Sequence, residues 1–98
     1  MHYFYIIYSR SINQYYVGES ENIIVRLRQH NTGYFKGSST SKAKDWEIVL
    51  LVPCNDRSEA RKLESFVKKQ KSKKFIESII NDKNILTDII DRELSGRK

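Results

Sequence analysis

The sequence YFYIIYSRSINQYYVG, residues 3–18, holds two short runs of aromatic and aliphatic side chains. The first run, residues 3–8, has no charged residue and predicts a strand that is buried on both faces. The second run, residues 14–18, predicts another strand. Because the polar segment between them, residues 9–13, can turn, we expect the two strands to form an antiparallel hairpin.

The rest of the chain predicts one more strand and four helices. The run WEIVLLV, residues 46–52, predicts the third strand, which we expect to end at Pro53. Apolar residues recur at helical spacing in four segments, residues 21–30, 58–69, 73–81 and 84–94. Ser20 and Ser58 are the expected N-caps of the first two helices. The expected apolar face of the first helix consists of Ile23, Ile24 and Leu27.

These elements predict a small domain of the α+β class. The chain has 98 residues, which is enough for one domain and not for two. We expect a three-stranded, mainly antiparallel sheet flanked by helices, in a single domain over residues 1–98. Its motif-bearing core is expected at residues 3–80, followed by a C-terminal helix at residues 84–94.

The charge balance favours a polyanionic partner. There are 18 Lys and Arg residues against 12 Asp and Glu residues, which gives a formal net charge of +6. Residues 26–44 contain five basic residues and no acidic one, and residues 61–74 contain seven basic residues and one acidic residue. Either run alone fits a solvated surface as well as a binding face. Two such runs in one small domain favour nucleic acid as the partner.

Other features exclude several classes of protein. Cys54 is the only cysteine, so neither an intramolecular disulfide nor a thiolate-rich zinc site can form. No stretch approaches the ~20 apolar residues of a membrane span. The short apolar run near the N-terminus lacks the preceding cationic segment of a signal peptide. We therefore expect a soluble cytoplasmic protein with no membrane partner.

Four motifs follow one another along the chain. Each strand of the hairpin carries a tyrosine-bearing triplet, and these are Tyr3-Phe4-Tyr5 and Tyr16-Val17-Gly18. The next helix contains NIIVRLRQHN, residues 22–31, and a later helix contains SEARKLESFVKKQK, residues 58–71. In this order the motifs resemble those of the GIY-YIG nuclease superfamily, in its small stand-alone type. Residues 22–31 resemble the family's Arg-Leu-x-x-His-Asn helix, and residues 58–71 resemble its Ser-Glu-Ala…Glu…Lys helix.

The chain departs from the family pattern at two places. Only Tyr5 of the first triplet matches, because Tyr3 and Phe4 replace the glycine and isoleucine of the family's name. Glu19 stands where some repair-type members carry a lysine directly after the second triplet. A lysine that steers phosphate cannot be carried over to that position.

The resemblance implies a hydrolytic site, and its five side chains are Tyr5, Tyr16, Arg26, His30 and Glu64. One tyrosine would act as a base toward the attacking water and the other would orient it, in an order that stays open. Arg26 would hold the scissile phosphate, and His30 would hydrogen-bond the water, the phosphate or a tyrosine. Glu64 would hold one divalent cation, Mg²⁺ or Mn²⁺. Gly18, without a Cβ, would let the substrate or a helix backbone come close.

Each of these residues also has an ordinary structural explanation. Tyrosine is common in strands, and an arginine at the edge of a helical stripe is usually solvated. His30 is placed to cap the C-terminus of its helix, and Glu64 is spaced to pair with Lys68. All five residues occur together, in the family's order and on the expected strands and helices. This combination favours a nuclease over five separate structural explanations.

Basic residues outside the site are expected to bind the phosphates of the substrate without reading its sequence. They are Arg28, Lys36, Lys42, Lys44, Lys68, Lys69 and Lys71. Tyr34 and Phe35 are candidates for stacking on bases, whereas Trp46 is expected in the core.

The function expected from the resemblance is that of a metal-dependent endonuclease that hydrolyses phosphodiester bonds. DNA is the expected substrate and DNA repair the expected setting, with specificity that is structural, weak or supplied by a protein partner. Two alternatives stay open. One is a nucleic-acid-binding module of the same fold that has lost catalysis, and the other is a protein-interaction adaptor that uses the amphipathic C-terminal helix.

Overall fold

The computed structural model describes residues 1–34, 37 and 39–94. Within this part of the chain, the sheet has three strands: β1, His2–Ser9; β2, Gln14–Ser20; and β3, Trp46–Cys54. β1 lies in the middle and pairs antiparallel with both neighbours, in the order β2-β1-β3. The predicted hairpin and the predicted α+β class are therefore confirmed.

Helices cover the sheet on both faces. The described residues form four α-helices: α1, Ile23–Asn31; α2, Arg57–Gln70; α3, Lys73–Asn81; and α4, Lys83–Ile89. A short 3₁₀-helix, Ser39–Lys42, lies between α1 and β3, and a π-helical turn, Ile90–Leu94, follows α4. Among these described helices, none has the length and apolarity required to cross a membrane.

The middle strand has buried side chains on both of its faces. Phe4 and Ile6 point to one face and pack against α2, α3 and α4. Tyr5 and Ile7 point to the other face and pack against α1 and the segment that leads into β3. All four side chains are at most 1 % exposed, as the uncharged run in β1 predicts. Two small cores therefore hold the sheet between its helices.

The first helix differs from its prediction in its start and in its buried face. β2 continues as far as Ser20, so Asn22, and not Ser20, caps α1. The buried stripe of α1 is narrow, because Ile23 and His30 are its only fully buried residues. Ile24, which was expected in the core, is 67 % exposed, since it lies about 100° around the helix from Ile23.

Strand β3 and helix α2 also differ from their predicted bounds. β3 passes through Pro53 to Cys54, because it pairs on one side only and an edge strand tolerates a residue with no amide proton. Asp56, and not Ser58, caps α2, and its carboxylate accepts a hydrogen bond from the amide of Glu59. Aspartate is as good an N-cap as serine, so residue type alone does not separate the two positions.

Trp46 organises the segment that precedes β3. It is 3 % exposed, and its indole Nε1 donates a hydrogen bond to the carbonyl oxygen of Thr40 at 2.9 Å. The side chain of Asn31 accepts from the Trp46 amide and donates to the Trp46 carbonyl. The expectation that Trp46 belongs to the core is confirmed. Tyr34 is 66 % exposed, and Phe35 lies outside the described residues.

The last helix closes the core on the α2 side of the sheet. Leu86 and Ile89 of α4 are buried in the same cluster as Leu63 and Val67 of α2. The apolar face on which a protein-interaction adaptor would depend is therefore occupied within the chain.

Candidate active site

The site is a cleft at the outer edge of β2, with α1 on one side and α2 on the other. Tyr5 pairs with Gly18 across the hairpin, and its ring extends over that glycine. A Cβ on Gly18 would lie 2.6 Å from the Tyr5 hydroxyl oxygen and 2.7 Å from the adjoining ring carbon. The space that Gly18 leaves is therefore filled by the Tyr5 phenol.

His30 links Tyr5 to the 3₁₀-helix. Its Nε2 lies 2.9 Å from the Tyr5 hydroxyl oxygen, and its Nδ1 lies 2.9 Å from Oγ1 of Thr40. Burial, together with the nearby charge of Arg26, lowers the pKa of His30 from 6.5 to about 4. The imidazole is therefore neutral near pH 7, so that one ring nitrogen donates a hydrogen bond and the other accepts one.

Arg26 lies beside both Tyr5 and His30. Burial is the main reason that the pKa of Tyr5 is raised above its ordinary value, and Tyr16 and Glu64 act in the same direction. Arg26 opposes this shift through its positive charge and through a side-chain hydrogen bond. Tyr5 therefore keeps its proton at neutral pH, with the guanidinium of Arg26 in reach of its oxygen.

Tyr16 shares the face of the sheet that carries Tyr5. Its ring centroid is 4.9 Å from that of His30, with the rings tilted by 58°. Tyr5 is 1 % exposed, whereas Tyr16 is half-buried and lines an open depression of about 370 Å³. Of the two phenols, Tyr16 is the one that solvent reaches.

Glu64 approaches the same cleft from α2. Its side chain is 21 % exposed, and its Oε2 lies 2.7 Å from Nζ of Lys68. The same Nζ lies 5.7 Å from the centre of the Tyr16 ring. The influence of Glu64 on the pKa of Tyr5 also places the carboxylate nearby. The five predicted side chains thus lie on one side of the molecule, and the ordinary pairing of Glu64 with Lys68 is present as well.

The donors in this cleft fit a hard cation that is held only loosely by protein. Across residues 1–34, 37 and 39–94, no three His, Cys, Asp or Glu side chains cluster as a ready-made metal cage. Mg²⁺ is commonly held by one or two carboxylates, while waters and phosphate oxygens fill its remaining positions. Glu64, a partly exposed carboxylate beside an open cleft, meets that requirement.

The basic residues predicted to contact phosphates are accessible. Those that are described and exposed are Arg28, Lys42, Lys44, Lys68, Lys69 and Lys71. Lys36 lies outside the described residues. Arg28 belongs to α1, whereas Lys68 and Lys69 belong to the last turn of α2. Cations thus stand on both helices that border the cleft.

Sequence reasoning missed two features of the site. It assigned no role to Thr40, which is 1 % exposed and bonded to His30. It also did not explain Glu19, which is hydrogen-bonded to His2 and lies 3.8 Å from Nε of Arg57. The position at which some repair-type members carry a lysine therefore carries a carboxylate that faces a cation of α2. The only sequence signal for this pairing is the charge of Arg57 at the start of that helix.

The structure is a small α+β domain in which two tyrosines, an arginine, a histidine and a glutamate lie near one another at the edge of β2. The family model of the GIY-YIG catalytic domain matches residues 1–77 of the 98-residue chain, and the chain belongs to that family. The family acts on nucleic acid, and its nucleases generally use a divalent metal ion. No curated protein and no solved structure matches the chain significantly.

Proposed function

We propose that the chain is an endonuclease that hydrolyses phosphodiester bonds in DNA, using a tyrosine-activated water and one divalent ion, Mg²⁺ or Mn²⁺. The observation that supports it is the convergence of side chains from two strands and two helices on the cleft beside β2. They are Tyr5, Tyr16, Arg26, His30 and Glu64. If each of these residues had only its own structural role, their side chains would not need to lie close together.

The two tyrosines take different roles in this proposal. Tyr5 is buried, has a raised pKa and is hydrogen-bonded to His30, so it keeps its proton and fixes the geometry of the site. Tyr16 is reached by solvent, to which its hydroxyl group releases its own proton, and the resulting phenolate accepts the proton of the attacking water. As the water oxygen bonds to phosphorus, the bond to the leaving oxygen on the opposite side breaks.

Arg26 and Glu64 supply the electrostatic part of the reaction. The half-buried Arg26 lies within reach of the Tyr5 oxygen and also lines a depression of about 220 Å³. Its planar fork suits two phosphate oxygens and offsets the charge that develops on them. Glu64 would hold the divalent cation, which would supply positive charge to the phosphoryl oxygen and to the leaving oxygen.

A cleavage assay tests this function directly. The purified chain is incubated with Mg²⁺ or Mn²⁺ and labelled duplex, flap, branched and single-stranded DNA, with RNA as a separate arm. We expect wild-type cleavage, and rates at least about 100-fold lower for Glu64→Gln and Arg26→Ala. Glu47→Gln and Arg10→Ala change exposed residues on β3 and in the hairpin turn, and should keep the wild-type rate.

Two results would argue against the proposal. If Glu64→Gln and Arg26→Ala cut as fast as wild type, the assignment of the site is wrong. If the protein binds nucleic acid in a salt-dependent manner but cuts no substrate with either metal, it is a binding module of the same fold that has lost catalysis.

A further inference from the structure

Two depressions lie along the outer edge of β2, one toward each end of the strand. Residues 15–17 line a depression of about 370 Å³, and residues 19–21 line another of about 220 Å³. Gly18 separates the two along the strand. Tyr16, the proposed base, lines the first depression, and Arg26, the proposed phosphate ligand, lines the second.

This arrangement gives the two depressions different places in the reaction. In the hydrolysis of a phosphodiester, the attacking oxygen and the leaving oxygen lie on opposite sides of the phosphorus. Tyr16 and Glu19 are three residues apart on β2, about 10 Å along the strand, which leaves room between them for a water and a phosphate. With the water at Tyr16 and the phosphate at Arg26, the leaving oxygen is expected on the side of the second depression.

The second depression is lined by a histidine that is paired with a carboxylate. Nε2 of His2 is hydrogen-bonded to Oε1 of Glu19, and the two side chains are 13 % and 16 % exposed. The other carboxylate oxygen of Glu19 lies 3.8 Å from Nε of Arg57. Within residues 1–34, 37 and 39–94, Nδ1 of His2 has no hydrogen-bond partner. One ring nitrogen therefore holds the imidazole in place, and the other stays available to a substrate.

We propose that His2 is a further catalytic residue, the acid that gives a proton to the leaving oxygen, and this rests on the proposed hydrolysis. In the imidazolium form, Nε2 donates a hydrogen bond to Glu19 and Nδ1 donates one to the leaving oxygen. When the phosphorus–oxygen bond breaks, its electron pair stays on that oxygen, which takes the Nδ1 proton. The neutral imidazole then recovers a proton from solvent. Histidine suits this role because it exchanges a proton readily near neutral pH.

The charges around His2 suit the imidazolium form. The carboxylates of Glu19 and Glu21 and the guanidinium groups of Arg26 and Arg57 line the same depression. Glu19 contacts the ring directly and stabilises its positive charge, so Glu19 is a positioning residue for the acid. With His2 protonated, the depression has three positive groups against two negative ones, and it can therefore accept a phosphate at Arg26.

The other histidine of the site cannot take this role. Both ring nitrogens of His30 are already hydrogen-bonded, one to Tyr5 and the other to Thr40. Burial also lowers the pKa of His30 to about 4, so the ring has no proton to spare near pH 7. His2 is therefore the imidazole of the site that can act as an acid.

A substrate that no longer needs an acid tests this role. The leaving oxygen is identified from the end groups of the products, and DNA is then made with sulfur in its place at the cut position. A thiolate leaves without a proton, because a thiol, with an ordinary pKa of about 8.5, is far more acidic than an alcohol. We expect His2→Gln to lower kcat on ordinary DNA by about 100-fold or more, and to cut the sulfur-containing DNA as fast as wild type.

Three further variants make the result specific. Glu19→Gln should lower kcat less than His2→Gln does, and sulfur should restore its rate as well. Glu21→Gln, which changes an exposed residue of the same depression, is the matched control and should keep the wild-type rate on both substrates. Arg26→Ala should stay slow on both, because its proposed role concerns the phosphate and not the leaving proton. Thermal unfolding confirms that each variant is folded at the assay temperature.

The outcomes separate the acid from the proposed function. A wild-type rate for His2→Gln on ordinary DNA, or a loss of rate that sulfur leaves unchanged, would overturn the role of His2 while leaving the nuclease intact. If the wild-type protein cuts neither substrate, the nuclease proposal itself fails, and the role of His2 fails with it.

Discussion

His30 is 2 % exposed and lies between the hydroxyl groups of Tyr5 and Thr40. A neutral imidazole can satisfy both partners, because it has one donor nitrogen and one acceptor nitrogen. A protonated ring would place a charge in a buried site next to the Arg26 guanidinium. The folded protein therefore resists protonation of this one residue, and this resistance links the stability of the fold to pH.

The first prediction at the scale of a residue concerns acid sensitivity. The pKa of His30 is lowered from 6.5 to about 4 in the folded protein, so below pH 6.5 the unfolded chain binds a proton that the folded chain does not. The stabilisation is complete above pH 6.5 and is lost as pH falls toward 4, by about 3 kcal/mol in total. Urea unfolding across this range measures the loss.

Substitution identifies His30 as its source. His30→Gln should flatten the slope of unfolding free energy between pH 6.5 and 4. A wild-type chain whose His30 ring titrates near 6.5 by NMR would contradict the prediction.

The second residue-scale prediction concerns Thr40, which holds the other side of the His30 ring. Thr40→Val keeps the size of the side chain but removes the hydroxyl group that is hydrogen-bonded to Nδ1 of His30, at a cost of about 1–3 kcal/mol in unfolding free energy. Thr40→Ser keeps the hydroxyl and should lose less. The ¹⁵N shifts of the His30 ring report whether the tautomer changes, a signal that loss of packing alone would not produce.

The residues of the site differ in how far sequence could predict them. The family resemblance predicts Tyr5, Tyr16, Arg26, His30 and Glu64 as the site residues; these side chains lie near one another, and their catalytic roles stay a prediction. Thr40 does not follow, because a threonine in a segment rich in Gly, Ser, Thr and Lys is expected to be exposed. Its burial comes from contacts with His30 and Trp46, which depend on how the segment folds back on β3.

Helix α2 combines the Glu64 carboxylate and its Lys68 partner on a single turn. The two are i, i+4, and Nζ of Lys68 is 2.7 Å from the carboxylate that we propose as the metal ligand. The positive charge of Lys68 therefore lies beside the carboxylate that would hold the proposed cation. Lys68 is also one of the exposed cations predicted to contact phosphate, so we expect metal binding at Glu64 and strand binding at Lys68 to support each other.

This pairing gives a prediction with two opposite signs. Lys68→Met frees Glu64, so Mn²⁺ should bind about twofold tighter without DNA, the modest worth of a half-exposed i, i+4 pair. The same variant should bind DNA more weakly and with a smaller salt dependence. Electron paramagnetic resonance of free Mn²⁺ measures the first effect, and fluorescence anisotropy measures the second. Lys62→Met is the control for both measurements. Equal Mn²⁺ affinity in wild type and Lys68→Met would show that Lys68 does not compete with the metal ion for Glu64.

At the same scale, spacing predicts which strands and helices exist, but not where they end. Each described α-helix buries one face and β1 buries both of its faces, and the spacing of apolar residues reflects this. The ends depend on pairing between distant segments. Pro53 stays inside β3 only because that strand has one neighbour, and α1 starts late because β2 pairs through Ser20.

For the molecule as a whole, the part beyond the family match completes the core. The match covers residues 1–77, yet Leu86 of α4 is 2 % exposed and belongs to the cluster that contains Leu63. Leu63 directly precedes Glu64 on α2, so the packing of α4 supports the helix that carries the proposed metal ligand. Loss of this packing should therefore lower the free energy of unfolding and leave the cleavage rate of the folded protein unchanged.

Leu86→Ala should lower the unfolding free energy by about 2–5 kcal/mol, because it leaves a cavity against α2. Asp88→Ala, an exposed change on the same helix, should stay within about 0.5 kcal/mol of wild type. Denaturant titration measures both, and cleavage per folded molecule well below the melting temperature should match wild type in each. If the two variants are equally stable, α4 is only an appendage and residues 1–77 fold without it. A loss of stability with unchanged kcat would show that α4 keeps α2 in place and takes no part in the reaction.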